Sequence, residues 1–238
     1  MKRLGIIGGL GPMATAYFLR MIVEMTEAET DQEHIEVLLH SRPQIPDRTK
    51  FILGQSDESP MPHFIEIGKQ LVEQGADVIV IPCITAHFFR DALKEEIGCH
   101  VIHSIKETAR YLKAEGIQQV GIMATDGTIQ SRLFRDILEE QGIRCFVPGN
   151  AGQKDVMHII YNNVKKGLPI EMGRFDRVSS ELFSKGAQVI LLGCTELSMA
   201  KRDHYLGAGY LDVMEVLARQ AVIECGTLKP DYEHLITK

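Results

Sequence analysis

Gln74–Thr85 reads QGADVIVIPCIT and Lys185–Glu196 reads KGAQVILLGCTE. Each copy opens on a Gly-Ala turn, continues as a run of β-branched and aliphatic residues, and stops at a cysteine. Cys83 and Cys194 hold the same slot, 111 positions apart (194 − 83). A continuous apolar run of this length predicts a strand buried on both faces, and functional groups of α/β folds collect at the C-terminal ends of such strands. Two strands related by an internal repeat therefore predict two equivalent thiols facing one cleft. That arrangement suits chemistry that needs an acid/base group on each side of a substrate.

The repeat extends outward from these strands. Gln119–Met123 (QVGIM) resembles Arg3–Ile7 (RLGII), with Gly121 matching Gly5. Strands are expected at 3–8, 36–39, 78–82 and 100–103, and again at 119–123, 144–147 and 189–192. Helices are expected at 15–26, 62–74, from about 85, and at 104–116, 131–141, 154–166, 173–186 and 211–225. Alternating strands and helices predict parallel βαβ units. The fold class is therefore α/β, with two similar doubly wound lobes, parallel sheets related by a pseudo-twofold axis, and an active site in the cleft between them. The expected division is 1–103 for the first lobe, joined by a C-terminal helix at 211–228, and 104–210 for the second.

A chain of 238 residues with 45% apolar and 24% charged content is ordinary for a globular protein that buries a genuine core. Its net charge of −6 argues against nucleic acid or an anionic membrane surface as the main partner. The first residues, MKRLGIIGGLGP, are broken by glycines and proline and resemble neither a signal peptide nor a membrane span. Five cysteines without framework spacing predict free thiols and a reducing cytoplasm rather than a disulfide scaffold.

Unpaired cysteines are most often core fillers, and Cys99, Cys145 and Cys225, outside the repeat, take that reading. For Cys83 and Cys194 the paired position weighs against it. Each thiol precedes a threonine (Thr85, Thr195) where the chain leaves the sheet. A helix N-terminus there is expected to lower a thiol pKa from its free value near ~8.5. Zinc held by Cys83, His87, His103 and Cys194 is a rival, but no established ligand spacing is present and a metal-free site is expected. A Cys-His hydrolase with His87 or His103 as base is another, and it leaves the second thiol unexplained.

Three further places carry candidate chemistry. The turn GGLGP (Gly8–Pro12) lacks the dinucleotide spacing. It reads either as a plain tight turn or as backbone approaching a ligand, with Gly11 and free N–H groups near a carboxylate. Arg48, in the proline-punctuated loop PQIPDRT (Pro43–Thr49), suits carboxylate recognition, against a surface pairing with Asp47. Lys165 and Lys166 read as an ordinary cationic helix end.

Taken together, GIIGGLGPMAT (Gly5–Thr15), DQEHIEV (Asp31–Val37), PQIPDRT, GADVIVIPCITAH (Gly75–His87) and LLGCTEL (Leu191–Leu197) resemble the aspartate racemases of the aspartate/glutamate racemase superfamily, in family order along nearly the whole chain. The resemblance implies a cofactor-independent, two-thiol isomerase without metal, acting on an acidic amino acid and commonly dimeric. By it, Cys83 and Cys194 are the proton donors and acceptors. Arg48, followed by Thr49, and Lys165, after Ile160-Tyr161, bind the side-chain carboxylate. Thr85 and Thr195 hold the α-carboxylate and α-ammonium, and Glu196 is the acid beside the second thiol. Glutamate racemases of cell-wall synthesis carry Asp-Ser in the first turn and His after the second Cys-Thr. GGLGP and Cys194-Thr195-Glu196 therefore point to the aspartate branch.

One position departs from the pattern. Ile84 stands where the family has Asn, so a substrate contact expected at residue 84 is reduced to its backbone N–H. A related maleate- or hydantoin-type enzyme, or a binding protein that has lost catalysis, are the alternatives this leaves.

Overall fold

The computed structural model describes residues 1–238. In chain order the elements are β1 (Leu4–Gly8), α1 (Pro12–Met25), β2 (Val37–Ser41), α2 (Arg48–Ile52), α3 (Met61–Glu73), β3 (Val78–Val80), α4 (Arg90–Ile97), β4 (His100–Val101) and α5 (Ser104–Ala114). The second half follows with β5 (Gln119–Met123), α6 (Asp126–Gln130), α7 (Leu133–Glu140), β6 (Arg144–Phe146), α8 (Asn150–His158), α9 (Met172–Ser184), β7 (Val189–Leu192), α10 (Thr195–Asp203), β8 (Tyr210–Asp212) and α11 (Val213–Cys225). Two four-stranded sheets result, ordered β2-β1-β3-β4 and β6-β5-β7-β8, and every strand pair is parallel. The repeat in sequence is thus a repeat in topology, and the two-lobed α/β architecture is present.

Why the thiol strands read as unbroken apolar runs is visible in the packing. Successive side chains of a strand point to opposite faces. Val78 and Val80 enter the large central core while Ile79 and Ile81 enter a second core beneath α3 and α4. In the other sheet Val189 and Leu191 face the same central core, and Ile190 and Leu192 face a third one beneath α8 and α9. Both faces of each sheet are covered, as parallel sheets require. The central core is filled by α1, α5, α7 and α11 lying between the sheets, and α11 packs against both α1 and α5. The QGA and KGA openings are the turns that end α3 and α9. Gly75 and Gly186 take φ of +94° and +101°, and their N–H groups bond back to Val72 and Phe183 at 2.9 Å each. That left-handed conformation is cheap only for glycine.

Several elements differ from expectation. The run Leu211–Cys225 is not one helix, because Tyr210–Asp212 pairs in register with Ile190–Leu192 and becomes the edge strand β8. Asp212 then caps α11, accepting from Met214 N–H at 2.9 Å. The expected helix over 154–166 is broken by a π turn at Ile159–Asn163 and a 3₁₀ turn at Val164–Lys166. Arg48 does not sit in a loop. Asp47 caps a short helix by accepting from Lys50 N–H at 3.0 Å, and Arg48 is that helix's first residue. No helix is long and apolar enough to cross a membrane.

Candidate active site

Each thiol is the residue that caps a helical segment. Cys83 precedes a 3₁₀ turn at Ile84–Phe89 and Cys194 precedes α10, both with extended backbone. The C-terminal ends of β3 and β7 face each other across the cleft. Cys83, Cys194, Arg48, Thr49, Thr85, Lys165 and Glu196 line one inner cavity of about 240 Å³, together with Leu10, Asp47, Thr125 and Tyr161. A wider pocket of about 930 Å³ opens above it to solvent, walled by Leu10, Pro12, Met13, Ile45 and Met199, with Gly11 at its edge and Arg48, Lys165 and Glu196 at its floor.

The second thiol is embedded in a charged relay. Cys194 Sγ donates to Glu196 Oε2 at 2.9 Å, Thr195 Oγ1 donates to the same oxygen at 3.3 Å, and Lys165 Nζ pairs with Glu196 Oε1 at 3.0 Å. The sequence predicts a thiol lowered by the helix N-terminus, and for Cys194 the structure reverses this. Burial, then the Glu196 charge and its hydrogen bond, hold the thiol well above its ordinary value, against the opposing pull of Lys165. Cys194 therefore rests as a thiol. Burial would lower the Lys165 ammonium, but Glu196 and Cys194 outweigh it and raise it.

The first thiol has a different neighbour. The Arg48 guanidinium is 8% exposed and lies against Cys83; burial works to lower its pKa, and Cys83, Asp47 and Glu196 together raise it. Its Nη1 donates to the carbonyls of Ile45 (3.3 Å) and Pro46 (3.1 Å), while Nε has no partner. Arg48 is thus not spent on Asp47, whose carboxylate accepts from Tyr161 at 3.1 Å instead. Tyr161 joins the cavity through the π turn, and Lys165 Nζ sits 5.2 Å from its ring centre. Burial first of all pushes the Tyr161 phenol up to about 12, so it is a hydrogen-bond donor at neutral pH.

Across the cleft, Thr85 of the first half meets Thr125 and Thr128 of the second, with hydroxyl separations of 3.0, 3.0 and 3.1 Å around the triangle. Asp47, Thr125, Thr128 and Tyr161 were not singled out as site residues by the sequence reading. Thr125 stands just past β5, and the rule that picked out the thiols, applied to that strand end, would have found it.

Two expected site residues, Ile84 and Thr195, line neither pocket. Ile84 is a correction: its side chain is 1% exposed and belongs to the central apolar core, so it lines neither pocket. Isoleucine here is consistent with a position that faces helices rather than ligand. In the glycine turn, Gly9 does not offer a free N–H, because that group donates to Thr15 Oγ1 at 2.9 Å. Gly9 has φ +94°, and a Cβ there would lie 2.5 Å from the Arg42 backbone, so its close approach is to the protein itself.

His87 is not the base of a Cys-His pair. Its Nε2 faces the Ile81 carbonyl at 3.2 Å, its Nδ1 has no partner, and its ring stacks on His103. No three His, Cys, Asp or Glu side chains stand close enough together to hold a metal ion. Burial, followed by His103, depresses His87 to about 3. A folded-state value below the unfolded ~6.5 means stability is full above that pH and is lost as pH falls toward 3. At pH 5 this costs about 2 kcal/mol from His87 alone. Urea unfolding at pH 7.5 and pH 5 should show that loss in the wild type, and His87→Gln should lose correspondingly less.

Two parallel sheets thus present paired strand-end thiols to one shared cleft, the architecture of a two-lobed α/β protein. Residues 7–221 match the family described as Asp/Glu/Hydantoin racemase, and the chain belongs to it. It is a racemase, and hence an isomerase. Among solved structures it is similar to the aspartate racemase of Picrophilus torridus, at 29% identity and TM-score 0.83 over 98% of both chains. An aspartate racemase homologue from Pyrococcus horikoshii shares the fold, at 24% identity and TM-score 0.76 over 94% of this chain and 99% of that one. Among curated relatives, the broad specificity amino-acid racemase RacX of Bacillus subtilis is 24% identical, covering 84% of this chain and 88% of its own.

Proposed function

We propose that the protein interconverts the enantiomers of an acidic amino acid, aspartate first, by a cofactor-independent mechanism with two thiols. The observation that carries this is the convergence of Cys83, Cys194, Arg48 and Lys165 on one inner cavity. A thiolate on one side removes the α-proton, and the thiol on the other delivers a proton to the opposite face. In the reverse direction the roles exchange. Cys194, resting as a thiol, is the donor in one direction. In the other it accepts, after passing its proton toward Glu196. The carbanion-like state needs preorganised donors, and the N–H groups that open the 84–89 turn and α10 supply them.

Arg48 and Lys165 anchor the side-chain carboxylate and turn distal binding into orientation at Cα. Lys165, which rests on Glu196, gains the substrate carboxylate as a second partner. A charge-assisted hydrogen bond is worth about 1.5–3 kcal/mol. Lys165→Met should therefore raise KM for aspartate by about 10- to 100-fold, with a much smaller change for an amino acid lacking a second carboxylate. Equal changes for both would remove Lys165 from the carboxylate site.

The apolar walls of the outer pocket, from Leu10 and Met13 to Ile45 and Met199, favour a second reading in which longer uncharged side chains are also accepted. The similarity to a broad specificity racemase supports it. One experiment tests both. Each enantiomer of a panel of amino acids is incubated in deuterated water and followed by proton NMR and circular dichroism. Loss of the α-proton with decay of optical activity from either enantiomer is the expected result. Retention of α-protons across the panel would overturn the racemase mechanism.

A further inference from the structure

The residue four places beyond each thiol is buried. In both halves it meets the residue that opens the helix after the fourth strand. In the first half His87 stacks on His103, with ring centroids 5.6 Å apart and 27° between planes. In the second half Ser198 donates to Asp212 Oδ1 at 2.9 Å. The sheets set this correspondence. Ile79 is opposite Val101 and Ile190 is opposite Tyr210. Ile79 and Ile190 are related by the same 111-residue offset as the thiols. His103 and Asp212, each two residues further on, therefore occupy one structural position, as the N-caps of α5 and α11. None of the four lines either pocket, and each ties the segment that carries a thiol to the neighbouring strand end.

The two ties share a place but not a chemistry. Burial depresses His87 to about 3 and, with Arg90 and Lys106, His103 to about 4, so the first pair is uncharged through the neutral range. Asp212 is fully buried, and its Oδ2 has no partner. Burial and then Glu215 push its carboxyl up to about 7, against Lys201, the Met214 N–H and the Ser198 hydroxyl. The charged and titratable groups around it are Glu215 on α11, Lys201 on α10, and Tyr17 on α1. Lys201 pairs with Glu215 and donates to the Leu235 carbonyl at 3.0 Å; Arg202 lies over the Tyr17 ring at 5.6 Å. The Ser198–Asp212 hydrogen bond is charge-assisted only while Asp212 is ionised.

We infer that Ser198–Asp212 is a positioning strut for Cys194 and Glu196, as His87–His103 is for Cys83, and that only the Cys194 strut is built on a carboxylate. This rests on the two-thiol reading above. The racemase needs each sulfur held on line with Cα, where a displacement on the order of 1 Å is enough to cost about 100-fold. A strut one helical turn behind a thiol is placed to control that alignment without touching substrate.

The test uses the amino acid turned over fastest in the deuterium assay. Rates are measured from each enantiomer, α-protonated and α-deuterated, for wild type, S198A, D212N, H87Q, C83S and C194S, and across pH 5.5–9. Each direction begins with C–H cleavage at a different thiol, so C194S identifies the enantiomer whose proton leaves to residue 194. S198A, which removes one hydroxyl and leaves the α11 cap intact, should lower kcat about tenfold. It should also raise the isotope effect for that enantiomer alone. H87Q should raise it for the other enantiomer. D212N should remove a limb of the pH profile near 7 that H87Q retains. Equal isotope effects from both enantiomers in S198A, or a pattern matching C83S, would overturn the strut while leaving the racemase reading intact. A wild type that exchanges no α-proton would overturn the racemase reading and the strut with it.

Discussion

Cys194→Ala is expected to lower racemisation by at least about 1,000-fold, equivalent to about 4 kcal/mol in the barrier, while leaving exchange of the α-proton measurable from one enantiomer. The two results separate a two-base mechanism from every arrangement with one essential thiol. With residue 194 unable to donate, Cys83 still reaches the α-proton of the enantiomer that presents it. The carbanion-like state then takes a proton back from the same side. In deuterated water that enantiomer gains an α-deuteron without inverting. The opposite enantiomer faces the alanine and does nothing. Cys83→Ala should show the mirror image, with exchange confined to the other enantiomer. Unfolding cannot mimic this pair of results, because loss of folded protein suppresses both enantiomers equally. Wild-type racemisation by Cys194→Ala would eliminate the two-base mechanism.

The resting structure makes a finer point about the same pair. The thiols are equivalent in the repeat and inequivalent in their surroundings. Cys194 donates to a carboxylate and is held protonated, whereas Cys83 lies against a guanidinium. Under the proposed mechanism, the thiol held at 194 is ready to donate in one direction of the reaction. The same proposal requires turnover in the other direction to move a proton off Cys194 first, and Glu196 Oε2, which accepts from that thiol at 2.9 Å, is the acceptor in place.

The parts of this site that could be read from sequence are those that repeat or that bury both faces. The strands β3 and β7 announce themselves because parallel strands covered by helices are apolar at every position, and the matching cysteines follow from aligning the two runs. Position 84 shows the opposite case. Its identity was legible but its direction was not, because a 3₁₀ turn after the strand points the side chain back into the central core. The strand β8 was hidden because YLDVMEVLARQ has apolar spacing that suits a helix throughout. Only pairing with Ile190–Leu192 draws its first three residues into a sheet. The Thr85–Thr125–Thr128 triangle joins residues 40 and 43 positions apart. Thr125 stands at a strand end where the rule applied to the thiols points, but isolated threonines carry no period and only the cleft geometry joins the three. The reversed shift at Cys194 has the same origin. The helix N-terminus is where it was expected, but burial and then the neighbouring carboxylate outweigh it.

Arg48→Met should reduce kcat/KM for the acidic substrate by about 1,000-fold, about 4 kcal/mol, and Arg48→Lys by a substantial part of that, while neither lowers thermal stability by more than about 1 kcal/mol. The argument is one of cost. A buried guanidinium without a bidentate carboxylate is a poor structural element, since removing a charge from water is expensive and two carbonyls return little of it. Arg48 donates to only those two carbonyls, lies against the Cys83 thiol and leaves Nε without a partner. Replacing it with an apolar side chain of similar length relieves the desolvation while freeing the Ile45 and Pro46 carbonyls, and these effects nearly offset. For catalysis there is no offset. Lysine keeps the charge but loses the planar fork that grips a carboxylate through two N–H groups, so it restores attraction without orientation. Steady-state kinetics and thermal unfolding on the same preparations decide the matter. An active, destabilised Arg48→Met would make Arg48 a structural peg that holds the start of α2 to the Ile45–Pro46 backbone. An inactive, stable one makes it the anchor of the substrate's distal carboxylate.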